Sequence, residues 1–345
     1  MNPMMQRLFL VWFVSLLLNP VQPLLGRSLG EKELNTPAVS GESGASYGFR
    51  HQGSLDPITV RVMSFNIWIG GEAGGQPLEQ TAAVIRAAKA DIVGIQESFG
   101  SGNPAPDNAK KIAEILGWQH VNQGGSTSVI SRFPIVGTTP SKWGVLIELS
   151  DSQKIYCFNA HLAPSPYQPY QLADIEYGSG RFIKTEQEAI EEARQARGRQ
   201  VDSALAEMKQ VADQGLPMFL TGDLNEPSHQ DWTAAAAEAG HCQIKVEYPT
   251  TKAFTNFGFQ DAFRAYHPDE TKVRGYTWTP IKAEDDPSER HDRIDFVFSR
   301  GDQVRLIKVE VVGESKQRGA DIVVTPYPSD HRAVVAEFKI TPVAD

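Results

Sequence analysis

The sequence predicts a mixed α/β or α+β domain in which antiparallel strand pairing is substantial. Two observations carry this reading. Apolar runs of strand length alternate with helically periodic segments over most of the chain, and several neighbouring strand runs are joined by links too short to hold a crossover helix. The composition agrees: 345 residues, 41% of them hydrophobic and 22% charged, make an ordinary globular balance with material for a large core. A formal net charge of -9 provides no global positive field toward nucleic acid or anionic membrane, while leaving room for a local basic groove.

Taken in order, the N-terminus reads as an export signal. Arg7 precedes an apolar stretch from Leu8 to Leu18 broken only by Ser15. That stretch is short for a membrane span, which needs ~20 apolar residues, and it suits the apolar centre of a secretory signal. We therefore expect a signal peptide at 1–26, a flexible Ser-, Gly- and Glu-rich linker at 27–56 and one folded domain at 57–345, in a secreted or periplasmic protein.

From Ile58, "ITVRVMSFN" is a β-branched run, and "PLEQTAAVIRAAKA" follows with Leu78, Ala82, Ile85 and Lys89 at helical spacing. The strand "DIVGIQE", the helix "NAKKIAEILG" and the strands "TSVIS", "GVLIEL" and "KIYCFNAHL" continue the alternation. A long helix is expected from about Lys184 to Gln214. The strand "LPMFLTGD", the Ala-rich "DWTAAAAEAG" and the strands "RIDFVFS", "VRLIKVEVV" and "AVVAEFK" complete the chain. Between Leu162 and Phe182 lies an irregular stretch carrying Tyr167, Tyr170, Tyr177 and Phe182. Structureless loops longer than ~12 to 15 residues are usually functional or disordered, so this one reads as facing substrate, with a packed structural loop as the close alternative. Cys157 and Cys242 read by default as two buried thiols, and an oxidising compartment leaves a disulfide open.

The chemistry collects where strands end. Asn66 closes "VMSFN", Glu97 closes "DIVGIQE", and His161 closes "CFNAH". Asp223 and Asn225 follow "PMFL", sharing one face of an extended chain at ~6.6 Å spacing. Asp292 and Asp295 flank the start of "RIDFVF", and Asp330 and His331 precede "RAVVAEF". Each has a plain structural explanation, such as an Asx-turn at Asp223 or a hydrogen-bonded His161. Acids, amides and imidazoles at so many strand ends together point instead to a site. The acids suit a hard cation such as Mg²⁺, which takes one or two carboxylates and leaves other positions to water and phosphate. No G-x-S-x-G, G-x-x-x-x-G-K-[ST] or strand-linked G-x-G-x-x-G occurs, which leaves metal-assisted hydrolysis by an activated water.

The blocks "MSFNI", "DIVGIQE", "NAHL", "TGDLN", "RIDFVF" and "SDH", in this order, resemble the endonuclease/exonuclease/phosphatase superfamily. The resemblance spans about residues 58 to 340. It implies a four-layer α/β/β/α sandwich of two mostly antiparallel sheets flanked by helices, with 57–345 as the catalytic domain. It implies Glu97 as the principal metal ligand, with Asn66 and Asp330 in the metal region and Mg²⁺, or else Mn²⁺ or Ca²⁺, as the ion. Asp223 would orient or deprotonate the attacking water and Asn225 would hold it or a phosphoryl oxygen. His331 would meet the scissile phosphate, fixed by Asp295 in preference to Asp292, and His161 would contact phosphate or protonate the leaving group.

The expected function is therefore an exported divalent-metal-dependent phosphoesterase, acting on a phosphodiester of nucleic acid or of a phospholipid head group. A phosphatase acting on a small phosphorylated polyol is the alternative within the fold, and a catalytically inactive phosphate-binding protein the alternative outside enzymes. A monomer without a stable protein partner is expected. Arg194, Arg197 and Arg199 in "RQARGRQ", with the Tyr-rich stretch, could form a nucleic-acid track or be a solvated helix face.

Overall fold

The computed structural model describes residues 56–342. The expected signal at 1–26, and the linker at 27–56 save its last residue, lie outside the described residues. One sheet holds β1 (Ile58–Asn66), β2 (Ile92–Gln96), β3 (Gln119–Gly124), β4 (Thr127–Ser131), β11 (Val304–Gly313), β12 (Ile322–Val323) and β13 (Ala333–Ile340). The other holds β5 (Ile135–Thr138), β6 (Gly144–Ser150), β7 (Gln153–His161), β8 (Met218–Asp223), β9 (Gln260–Asp261) and β10 (Asp295–Arg300). Their orders are β12-β11-β13-β1-β2-β4-β3 and β5-β6-β7-β8-β10-β9. Pairing is antiparallel except between β1 and β2, β11 and β12, and β7 and β8.

Period-two alternation decides what each sheet face meets. Val60 and Val62 of β1 enter the core between the sheets with Cys157, Phe219, Val297 and Phe338, while Met63 and Phe65 point outward. Phe219 and Phe338 come from opposite sheets, and their rings meet with centroids 4.9 Å apart, tilted by 54°. Helices α2 (Leu78–Ala87) and α3 (Asn108–Leu116) lay Ala82, Ile85 and Ile112 on the outer face of the first sheet. Helices α5 (Glu186–Ala212) and α7 (Pro249–Asn256) cover the second with Val201, Met208 and Phe254. Helix, sheet, sheet and helix thus form the four-layer sandwich.

Local signals set the helix ends. Asp107 accepts from Lys110 N and caps α3, which stops at Gly117 with φ 73°. Thr185 and Glu188 form a reciprocal capping box at the start of the 27-residue α5. The remaining helices are short: α1 (Trp68–Gly71), α4 (Gln168–Leu172), α6 (Ala234–Glu238) and α8 (Ala262–Tyr266). Among the described residues, no helix is long and apolar enough to cross a membrane.

Two expectations change, and the default reading of the cysteines holds. The stretch from 162 to 182 contains α4 and is packed, with Tyr167 and Tyr170 buried against Ile294; of its aromatics only Phe182 is exposed. Arg197 is completely buried, so only Arg194 and Arg199 of that run face solvent. Cys157 and Cys242 are free buried thiols in separate clusters, each pushed up to about 12 by burial.

Candidate active site

The strand register assembles the site. His161 of β7, Asp223 of β8 and Asp295 of β10 are direct partners across three neighbouring strands. Counting in twos from core residues Cys157, Phe219 and Val297 puts all three side chains on the face between the sheets. Asn66 ends β1 on the facing sheet, opposite Gln96 in β2, and His331 lies just before β13, the other neighbour of β1.

These groups meet in a buried cluster. Asn66 Nδ2 donates to Asp223 Oδ2 at 2.9 Å and lies 3.3 Å from Glu97 Oε1. It also stands 3.4 Å from His331 Nε2. The Asn66 oxygen accepts from Trp68 N at 3.0 Å, so its amide bridges the acids while its carbonyl is spent locally. His331 Nδ1 is 2.9 Å from Asp295 Oδ2, and its Nε2 is 3.7 Å from Asp223 Oδ2. His161 Nε2 approaches the same Asp223 oxygen at 3.5 Å. Asn225 N donates to Asp223 Oδ1 at 2.9 Å, and Asn225 Nδ2 donates to Leu162 O at 3.0 Å. Trp278 leans on the His331 ring with centroids 4.8 Å apart.

Burial alone would raise Asp295 and lower His331. With the pair in contact and Asp223 also facing the ring, the proton resides on His331, which is pushed up to about 10. Burial pushes Asp330 up to about 7, and its Oδ1 has no hydrogen-bond partner. Asp292 is occupied elsewhere, accepting from Tyr167 Oη and Trp232 Nε1 at 2.9 Å each. The partner of His331 is therefore Asp295.

Two site residues have left-handed backbone, Glu97 at φ 54° and Asn225 at φ 48°. Asn tolerates this conformation better than Glu, so Glu97 is the strained one. Around it α1 also turns left-handed, with Trp68 at φ 58° and Ile69 at φ 50°. That turn lets Ile69 N donate to Glu97 Oε2 and Gly70 N to Glu97 O, both at 2.7 Å.

A family model described as "Endonuclease/Exonuclease/phosphatase family" matches residues 63–331. The chain belongs to that family. An uncharacterized protein of Caenorhabditis elegans is 27% identical over 300 residues, covering 81% of this chain and 91% of its own. The endonuclease/exonuclease/phosphatase from Beutenbergia cavernae superposes with TM-score 0.51 at 18% identity, over 83% of this chain and 73% of that one. An AP endonuclease from Archaeoglobus fulgidus gives TM-score 0.50 at 15% identity, over 80% of this chain and 98% of that one. At such identities the structural likeness is one of fold.

As an endonuclease/exonuclease/phosphatase family member, the chain is a hydrolase acting on phosphate ester bonds. Its donor set fits the divalent cation on which the family depends. Glu97 and Asp223 accept neutral hydrogen bonds and keep lone pairs to spare, and Asp330, near enough to feel both their charges, has a buried oxygen without a hydrogen-bond partner. Asp223, Asp295 and His331 also bring ligand atoms within 4.8 Å of one another. Since Asp295 and His331 already bond each other, that trio is an imidazolium held by one carboxylate and facing a second, not a cage for an ion.

The eight expected residues thus converge, except that Asn66 presents its amide nitrogen rather than an oxygen. What residue reading missed is the tier beneath. Gln96 Nε2 donates to Asn159 Oδ1 at 2.6 Å, and Thr221 Oγ1 donates to it at 3.1 Å. Ser64, Asn159 and Thr221 each stand two residues before Asn66, His161 and Asp223, so strand alternation held the signal. Ser329, which ties His331 N at 3.1 Å and Asn66 O at 2.7 Å, has the same spacing from His331 but lies outside any strand, where alternation gives no signal.

Proposed function

We propose that this protein is an exported, divalent-metal-dependent phosphodiesterase acting by in-line attack of an activated water. One observation carries the reading: His161, Asp223 and Asp295 stand in register on adjacent strands, with His331 held by Asp295 and pointed at Asp223. A base and a cationic imidazole facing one small volume suit attack on a phosphate ester, which needs a proton taken from water and charge neutralised on phosphoryl oxygens.

Asp223 takes the proton of the attacking water, its Oδ1 held by Asn225 N and its Oδ2 by Asn66. His331, charged at neutral pH, stabilises the oxygen charge that builds at phosphorus. His161, on the adjoining strand and partly exposed, contacts phosphate or protonates the leaving oxygen. A divalent cation held by Glu97 and Asp330, with Mg²⁺ the ion of choice, would supply further neutralisation of the phosphate. The intact set argues against an inactive binding protein, which has no use for a base and a charged imidazole side by side. Burial of Arg197, Tyr167 and Tyr170 removes much of a nucleic-acid track and favours a compact diester such as a phospholipid head group. Export rests on the apolar run after Arg7.

The test is turnover of bis(p-nitrophenyl) phosphate, p-nitrophenyl phosphate, DNA, sphingomyelin and inositol phosphates with Mg²⁺, Mn²⁺ or Ca²⁺, and with chelator. Diester turnover that chelator abolishes is expected. Activity on monoesters alone, or none on any substrate, rejects the proposal.

A further inference from the structure

Helix α5 carries two residues that the chemistry above does not use. Arg197 and Gln200 lie on one helix face, three positions apart. Both reach the backbone of Ala163, two residues past His161: Ala163 N donates to Gln200 Oε1 at 2.9 Å, and Arg197 Nη1 donates to Ala163 O at 3.0 Å. The fully buried Arg197 also donates to Pro166 O at 3.2 Å and to Gln168, and its Nε is 3.1 Å from Glu226 Oε2, itself fully buried. Glu226 directly follows Asn225, and its second oxygen accepts from Thr250 N at 2.7 Å.

The same two loops are laced to each other. Leu162 N donates to Asp223 O at 3.1 Å, and Asn225 Nδ2 to Leu162 O. At 3.5 Å the Asp223 carboxylate stands at the limit of hydrogen-bond reach from His161, so the ring's place depends on its backbone. Apolar side chains could fill the space under α5 at least as stably as a buried ion pair does. The polar donors here are instead spent on the two loops that carry His161 and Asn225.

We propose that Arg197 and Gln200 are positioning residues that hold His161 beside Asp223 through the backbone of Ala163. The inference rests on the hydrolytic reading above. A misplacement of about 1 Å costs up to roughly 100-fold in rate, which sets the expected size.

The test is a double-mutant cycle on the full chain with bis(p-nitrophenyl) phosphate and Mg²⁺. Gln200→Leu removes the acceptor and is expected to lower kcat about 10- to 100-fold with little change in KM. Gln200→Glu keeps an acceptor and recovers most of that loss. In a His161→Ala background Gln200→Leu has no further effect. Losses that multiply across the cycle, or an unchanged kcat in Gln200→Leu, overturn the proposal. Should Gln200→Leu not fold, Arg197→Lys takes its place under the same criteria. If the wild type hydrolyses none of the substrates, the hydrolytic reading falls instead. The clamp is then judged by NMR: in Gln200→Leu the Ala163 amide should exchange faster and the His161 ring signals should shift, and unmoved ring signals overturn it.

Discussion

Replacing Asp295 by Asn should discharge His331 at neutral pH. His331 ordinarily titrates near 6.5 and is pushed up to about 10, so its surroundings favour the imidazolium by roughly 5 kcal/mol. Three carboxylates do this against burial, Asp295 at 2.9 Å, Asp223 at 3.7 Å and, with the smallest effect, Asp330, and of these only Asp295 is in hydrogen-bond contact. Losing the nearest one takes away the largest of the favourable contributions, and burial, the strongest single influence and an unfavourable one, then carries the ring to or below its ordinary range. Ring ¹⁵N shifts followed against pH, in chelator, read the change directly. In the wild type His331 stays charged past pH 8; in Asp295→Asn it should be neutral by pH 7.5, with kcat down at least 100-fold. A group raised on folding lends stability that is full below its unfolded value and is lost as pH rises through its folded value. The wild type should therefore lose Tm between about pH 6.5 and 10 in a step that the variant lacks. A ring still charged at pH 8 in Asp295→Asn would refute the reasoning.

Further outcomes separate site from scaffold. Asp292→Asn should lower Tm by weakening the bonds from Tyr167 and Trp232, and leave the His331 titration where it was; a moved titration would make Asp292 the true partner. Glu97→Ala should abolish Mn²⁺ binding measured by electron paramagnetic resonance and cost at least 100-fold in kcat, whereas retained binding would move the ion elsewhere. Phe338→Ala should cost about 3 to 5 kcal/mol in denaturant unfolding, because the ring is fully buried against Phe219. Its KM should not change, the cavity lying within the core and away from the strand ends.

The strands were legible because burial on one face forces alternation, and β1, β4 and β7 fall where their apolar runs do. The candidate site groups were legible for the same reason: a strand whose inward positions turn polar toward its end announces Asn66, His161 or Asp223. Arg197 misled because charge in a helical run usually means a solvated face. Only the fold shows that its side chain points inward to meet Glu226, which lies far away in sequence. The stretch from 162 to 182 misled because length and tyrosines do not tell a packed loop from an open one. Tyr167 is held by Asp292 and Tyr170 by Glu289, partners more than a hundred positions away.

The polar tier under the site shows why register, and not proximity alone, organises this protein. A Cβ at Gly94 would lie 1.9 Å from Thr221 Oγ1 and 2.5 Å from Asn159 Oδ1, so β2 approaches β7 and β8 there as only glycine permits. That approach allows Gln96 of one sheet to bond Asn159 of the other, and the bond fixes the two sheets against sliding. Within its own sheet, a one-residue slip of β7 or β8 would turn Asn159 or Thr221 outward, and His161 or Asp223 with it. Polar groups between sheets stabilise less than apolar ones would. They accept only one alignment, though, and that alignment sets Asn66 of the first sheet within 2.9 Å of Asp223 in the second. Catalytic groups on separate sheets can be preorganised only if the sheets themselves are held in register, and the tier one step below the site is where this fold does so.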